Sequence, residues 1–271
     1  MRINQNIMAF NAYRSLNTTN TQMGKSLEKL SSGFRINRAS DDAAGLVISQ
    51  ALRAQVSGLR VATRNAQDGV SVVQTAEGAL NEVHSMLNRM RDLAVQAANS
   101  GSNDTTATNA AQAEIDALAS EITRISQQTK FGNTTLLDGA FNRVFQVGAN
   151  AGEKVTVSLA TSMNASVLGV VALSVGSAGV ASSAILAVDA AIATVSNTRA
   201  TLGAFQNRFE SVINNLQVAS ENLAASESRI RDTDMALEMV AFTRHQILVQ
   251  AGTSMLGQAN ATPQTVLRLL Q

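Results

Sequence analysis

The chain has 271 residues, a net charge of +1 and no cysteine. That length allows one or two domains with a sizeable core. The charge gives no basic field for a phosphate backbone, which excludes nucleic acid as an expected partner, and the missing thiols exclude disulfides and cysteine-based metal sites.

The composition also favours helix. Only 3% of residues are aromatic, and there is a single proline, Pro263. The apolar content is mostly Ala, Leu, Val and Ile, which suits long helices packed side by side, with almost nothing to break them.

The first ten residues, MRINQNIMAF, lack the apolar stretch of a secretory signal. The chain is therefore expected either to stay inside the cell or to leave by a route that reads something else. An apolar seam then runs through Ile3, Ile7, Phe10, Tyr13, Leu16, Asn20, Met23, Leu27, Leu30 and Phe34. Its later steps alternate three and four, which predicts a heptad-patterned helix over 1–34, with Asn20 as a polar register-setting position.

Residues 33–45, GFRINRASDDAAG, form a polar, glycine-bounded break. Ser40, Asp41 and Asp42 read as the N-cap and acidic first turn of the next helix. A carboxylate pair could also serve acid–base chemistry or a metal, but no pattern of His, Glu or Lys accompanies it. The helix that follows is expected to reach about Ala98. Leu59, Ala66, Val73, Leu80, Leu87 and Ala94 recur every seventh residue, and Ala76, Val83, Met90 and Ala97 fill the alternate positions. Val56, Thr63 and Val70 do so one residue out of phase in the first half, which reads as a stutter.

A turn cluster at 99–106 separates this helix from a second one ending near Gln128, with Ile115, Leu118, Ile122 and Ile125 as its seam. The turn-rich FGNTTLLDG follows. Val144–Val147 and Val155–Leu159 then read as a β-hairpin around a Gly/Asn loop. Residues 161–183 are small and apolar-to-neutral and carry no clear period. The longest apolar stretch, 167–175, is interrupted and too short to span a bilayer, so no membrane span is predicted.

Helix resumes near 183–184, with Phe209, Val212, Leu216, Ala219, Leu223, Ser226 and Ile230 as its later seam. RIRDTD, residues 229–234, breaks it. A last helix carries Met235, Met239, Phe242, Gln246, Val249, Thr253 and Leu256 and ends with Leu267, Leu269 and Leu270. The fold class expected is mainly α: a long coiled-coil-like helical rod with a small β-hairpin region and paired terminal helices. Because polar breaks isolate those ends, a lone pair of terminal helices cannot bury every seam residue. The ends are expected to be largely disordered in the free chain and helical when many copies pack together.

No catalytic pattern emerges. His84 and His245 are the only histidines and have no metal-ligand spacing, HExxH, GxGxxG and P-loop motifs are absent, and GTSMLG at 252–257 is one residue too long for a nucleophile elbow. The Met-rich C-terminal seam reads as a packing surface. No cofactor, no metal and no enzymatic activity are expected.

Several long segments resemble the bacterial flagellins, in the same order at both ends. They are LSSGFRINRASDDAAGLVIS (30–49), RNAQDGVSVVQTAEGALNEV (64–83), MRDLAVQAANS (90–100), TRATLGAFQNRFESVINNL (198–216), NLAASESRIRDTDMA (222–236), LVQAGTSMLGQAN (248–260) and VLRLLQ (266–271).

The resemblance implies an inner-tube helix at 1–34, a hinge or spoke at 35–44, outer-tube helices and a β-hairpin region at 45–183, a C-terminal outer-tube helix at 184–228, a second hinge at 229–234 and an inner-tube helix at 235–271. It implies a subunit that polymerises with itself into an extracellular filament for motility, exported by the flagellar type III route. Further implied partners are an export chaperone at the C-terminal helix, filament cap and junction proteins, and the host innate receptor TLR5. For that receptor the matching positions are Leu87, Arg89 and Leu93 on the first core helix and Glu114 on the second. A hook–filament junction protein of the same superfamily and a flagellin carrying a protease insert are the competing readings. The second lacks both its HExxH motif and an insert.

Overall fold

The computed structural model describes residues 5–99 and 104–269, and the side chains of all of these but 178 and 263–269. In chain order it contains α1 (Ile7–Ser32), α2 (Ala43–Ala98), α3 (Thr105–Gln128), β1 (Lys130–Phe131), β2 (Thr134–Thr135), β3 (Phe141–Gln146), β4 (Lys154–Leu159), α4 (Ala178–Arg231) and α5 (Met235–Leu269). The chain divides into two compact units, a terminal one (Met1–Gln55 with Asn222–Gln271) and a central one (Val56–Glu221).

The central unit has a continuous apolar core. The sevenfold repeat of α2 is its spine: Ala66, Val73, Leu80, Leu87 and Ala94 are all buried, as are Ala76, Val83, Met90 and Ala97. An a/d seam of this kind needs partners on its apolar side. They are Ile115, Ala119 and Ile122 of α3 and Val188, Ala191, Val195, Leu202 and Phe209 of α4. Asp104 caps α3, its Oδ1 accepting the Ala107 N–H at 2.7 Å. Phe209 meets Phe145 edge-on with ring centroids 5.5 Å apart, and it lies against Gly69, where an added Cβ would come within 2.7 Å of the ring.

Strands β3 and β4 pair antiparallel, Phe141 opposite Leu159 and Gln146 opposite Lys154. β4 alternates exposed and buried residues, so Val155, Val157 and Leu159 enter the core while Lys154, Thr156 and Ser158 face out. The short pair β1–β2 turns through Gly132 at φ 60°, a conformation that favours glycine.

Three expectations are corrected here. The β1–β2 pair lies where the sequence suggested only turns. Helix α4 starts at Ala178, before the expected 183–184, and α4 continues to Arg231, which shortens the second break to Asp232–Asp234. The unassigned segment before α4 is irregular backbone with a buried set, Met163, Ala165, Leu168, Val170, Leu173 and Val175. Gln112 of α3 holds this segment by its backbone, donating to the Leu173 carbonyl at 2.7 Å and accepting from the Val175 N–H at 2.9 Å.

Helix α4 also reaches a mean hydropathy of 1.6 over part of its length, long and apolar enough to match a membrane span by composition. Its Ala181, Ala184, Val188, Ala191 and Val195 are buried in the core of the central unit. That packing covers 28% of the apolar stretch, and Val180 and Leu186 of the same helix stay exposed.

Candidate assembly surface at the chain ends

In the terminal unit, α1 and α5 pack antiparallel. Asn6 caps α1 by accepting the Ala9 N–H at 3.1 Å, and its amide donates to the Ala259 carbonyl of α5 at 2.7 Å. At the other end Lys29 and Glu238 form an ion pair at 3.6 Å. Midway, Gly252 faces Leu16 so closely that an added Cβ would stand 3.2 Å from its Cδ1.

The half-buried positions of α1 recur at Asn6, Ala9, Ala12, Leu16, Thr19, Met23 and Leu30, and Ser26 is buried. Those of α5 recur at Phe242, His245, Val249, Gly252, Leu256 and Ala259. The face α1 turns toward α5 is thus made largely of small and polar residues, which permits close approach but buries little apolar area.

The predicted seam is therefore split. Leu16, Met23, Leu30 and Phe34 on the N-terminal side, and Phe242, Val249 and Leu256 on the C-terminal side, are half-buried. Ile7, Phe10 and Leu27 stay 62%, 69% and 56% exposed, and Met239 is also exposed. Tyr13, Leu237, Val240, Ile247 and Leu248 add to the exposed set. Ile3 and Leu270, and the side chains of Leu267 and Leu269, lie outside the described residues. Exposed apolar groups scattered singly are ordinary, but contiguous ones mark contact surfaces. Met239, Val240, Ile247 and Leu248, with Thr243 and Arg244, line one shallow apolar groove along α5.

The two breaks are tied to each other by backbone. Gly33, at φ 74°, ends α1 and accepts the Thr233 N–H at 2.9 Å, while the Arg35 N–H donates to the Arg231 carbonyl at 2.6 Å. The Arg231 guanidinium lies 4.3 Å from the Phe34 ring centroid, a cation–π placement. Ile36 is buried here, and Gly45 leaves room for it: a Cβ at 45 would be 2.8 Å from the Ile36 Cδ1.

The three predicted cap residues have three different situations. Asp42 is the N-cap of α2, its Oδ1 accepting the Gly45 N–H at 2.8 Å. Asp41 instead closes the preceding loop, accepting the Arg38 N–H at 3.0 Å and the Asn37 N–H at 3.2 Å. The Arg38 hydrogen bond, with help from Asn37, holds the Asp41 carboxyl below its ordinary pKa. Ser40 is exposed and precedes the cap by two residues, so it does not cap the helix, and there is no acidic residue in the first turn of α2. On the other strand of the joint Asp234 caps α5, accepting from the Ala236 and Leu237 N–H groups at 3.0 and 3.1 Å.

The receptor-like positions are also divided. Leu87 and Leu93 are buried in the core of the central unit, so in the folded unit neither presents its side chain to a partner. Arg89 and Glu114 are exposed and bound to each other by two hydrogen bonds, at 2.7 and 3.2 Å. That pairing holds the Glu114 carboxyl below its ordinary pKa. Next to it Arg91 reaches Asp189 of α4 at 2.7 Å, an ion pair that sequence spacing could not have revealed.

This arrangement defines a mainly helical protein with a finished central core and an unfinished one at its joined ends. The family model described as "Bacterial flagellin N-terminal helical region" matches residues 3–142, and that described as "Bacterial flagellin C-terminal helical region" matches residues 185–270. A flagellin of Halalkalibacterium halodurans is 51% identical over 275 residues and one of Bacillus subtilis 48% identical over 305 residues, each comparison covering 100% of both chains. The crystal structure of Bacillus cereus flagellin is similar with a TM-score of 0.51 and 31% identity, over 60% of this chain and 94% of that one. The chain belongs to the bacterial flagellins, a family of structural proteins.

Proposed function

We propose that this flagellin is the structural subunit of a swimming filament, which it builds by packing its ends against those of other copies. The observation that carries this is the exposed apolar set on α1 and α5, beside a pair interface whose α1 face is largely small and polar and whose larger side chains are only half-buried. A two-helix pair with such an interface gains little from its own folding, and its large side chains are free for neighbours.

In this reading residues 1–34 and 235–271 line an inner tube. Residues 35–44 and 229–234 are the joints, and 45–183 with 184–228 supply the outer layer. The subunit leaves the cell by the flagellar type III route, after an export chaperone has covered the outer face of α5. Filament cap and junction proteins then meet the same terminal surfaces. For the host receptor TLR5, the groups available on the folded central unit are Arg89 and Glu114.

Electron microscopy of the purified chain added to short filament seeds tests the filament reading. Long extensions from the seeds are expected. Short caps that never elongate would favour a junction protein instead.

A further inference from the structure

The methionines of this flagellin differ in exposure, with Met23 of the terminal unit and Met86 of the central unit half-buried. Met90 and Met163 of the central unit are fully buried. In the terminal unit Met8, Met235, Met239 and Met255 are 70%, 47%, 50% and 64% exposed. Met235 and Met239 stand one turn apart on α5, Met239 lines the apolar groove of that helix, and Met255 lies two turns beyond Leu248. Oxidisable thioethers are thus gathered on the helices that carry the exposed apolar set.

We propose that Met8, Met235, Met239 and Met255 are oxidation-sensitive positions for peroxides, open in the free subunit, whose oxidation disables it for assembly. The effect on assembly rests on the filament reading above. The sensitivity itself rests on exposure alone. In the reaction the thioether sulfur attacks one peroxide oxygen. An S–O bond forms as the O–O bond breaks, sulfur loses two electrons, and the other oxygen leaves as water after taking up the proton. The product is a polar, chiral sulfoxide in place of a flexible apolar side chain. Buried in a packed interface without a hydrogen-bond donor, that dipole opposes association. A filament that covers these side chains also shields them, so damage falls on subunits that have not yet been incorporated.

The experiment treats free chain and assembled filament with hydrogen peroxide, maps sulfoxides by peptide mass spectrometry and measures seeded extension. Sulfoxide is expected first at 8, 235, 239 and 255 in the free chain and last at 90 and 163, with slower oxidation of the four in filaments. The critical concentration for extension should rise about tenfold or more. Reduction by a methionine sulfoxide reductase should restore it without any variant. The chain carrying M8L, M235L, M239L and M255L, near-isosteric changes, should extend equally before and after peroxide.

Undiminished extension by fully oxidised chain overturns the proposal, as does equal peroxide sensitivity in the leucine variant or first oxidation at 90 and 163. If untreated chain never extends seeds, the filament reading fails. The order of sulfoxide formation, which needs no polymer, still decides which positions are sensitive.

Discussion

The central and terminal units are built from the same few residue types, yet only one has a core. In Val56–Glu221 one continuous set of apolar side chains from α2, α3, α4 and the hairpin is buried. Among the described residues of the terminal unit, Ile36 is the one buried hydrophobic residue, held at the joint. The composition of α5 is no less apolar, but its Leu237, Val240, Ile247 and Leu248 face outward. Since conformational entropy opposes folding in both units alike, the central unit can offset it internally. The terminal unit lacks the burial to do so and must find it in other copies.

Single substitutions sharpen this contrast. The largest effect on the chain itself belongs to the central unit. Phe209→Ala removes a fully buried ring packed on Gly69 and Phe145 and is expected to cost about 3–5 kcal/mol in thermal unfolding of the free chain. Leu27→Asp should do the opposite. Leu27 is exposed in the chain, so unfolding of the central unit should be unchanged while seeded extension is abolished, because the charge enters a packed interface. If Leu27→Asp extends seeds normally, the outward face of α1 is not an assembly surface.

A smaller effect is expected at the joint. Asp42→Ala removes the cap of α2 and should cost about 1 kcal/mol of local stability. Faster hydrogen exchange confined to the first turn of α2 would register it, with little change in the melting of the central unit. Unchanged exchange there would remove the capping argument.

The smallest effect concerns Arg89 and Glu114. The Glu114 carboxyl is held below its ordinary value, 4.5 in the reference state, chiefly by the Arg89 hydrogen bond. A depressed carboxyl contributes stability above its unfolded pKa and loses it as pH falls through the lower folded value. The melting difference between wild type and Arg89→Ala should therefore be present at neutral pH and vanish on acidification below that range. The pair is exposed, so the difference should be slight and should shrink in salt. A difference that persists in acid would assign it to side-chain packing rather than charge.

Much of the central unit was legible because its seams point one way, though the stutter read at Thr63 and Val70 is absent: Ala62 and Gly69 are buried there and keep the sevenfold period in phase. The sevenfold repeat from Leu59 to Ala94 located both the helix and its buried face. The first helix was legible as a helix but not in its orientation. Pattern reading takes the whole seam as one face, whereas Leu16, Met23 and Leu30 turn toward α5 with Ala9, Ala12, Thr19 and Ser26 while Ile7, Phe10 and Leu27 turn out. A sequence pattern records that a face is apolar, not whether it is buried by its own chain or by another.

The start of α4 was hidden for a different reason: Ala, Gly, Ser and Val provide too little contrast for a period to show. The two-residue strands β1 and β2 are too short to alternate at all. Of the cap residues, the sequence put the acidic cluster too far into the helix, with Ser40 as the cap, and could not separate the cap, Asp42, from the loop clamp, Asp41.

The central claim is that the terminal unit acquires its core from other subunits, and hydrogen exchange on free chain and on filament measures it most directly. In the free chain at low concentration, the amides of α1 and α5 are expected to exchange nearly as fast as unfolded peptide, while those of α2 between 66 and 97 and of α3 stay protected. In the filament α1 and α5 should become protected as well. Strong protection of α1 and α5 in the free chain, equal to that of α2, would contradict the account.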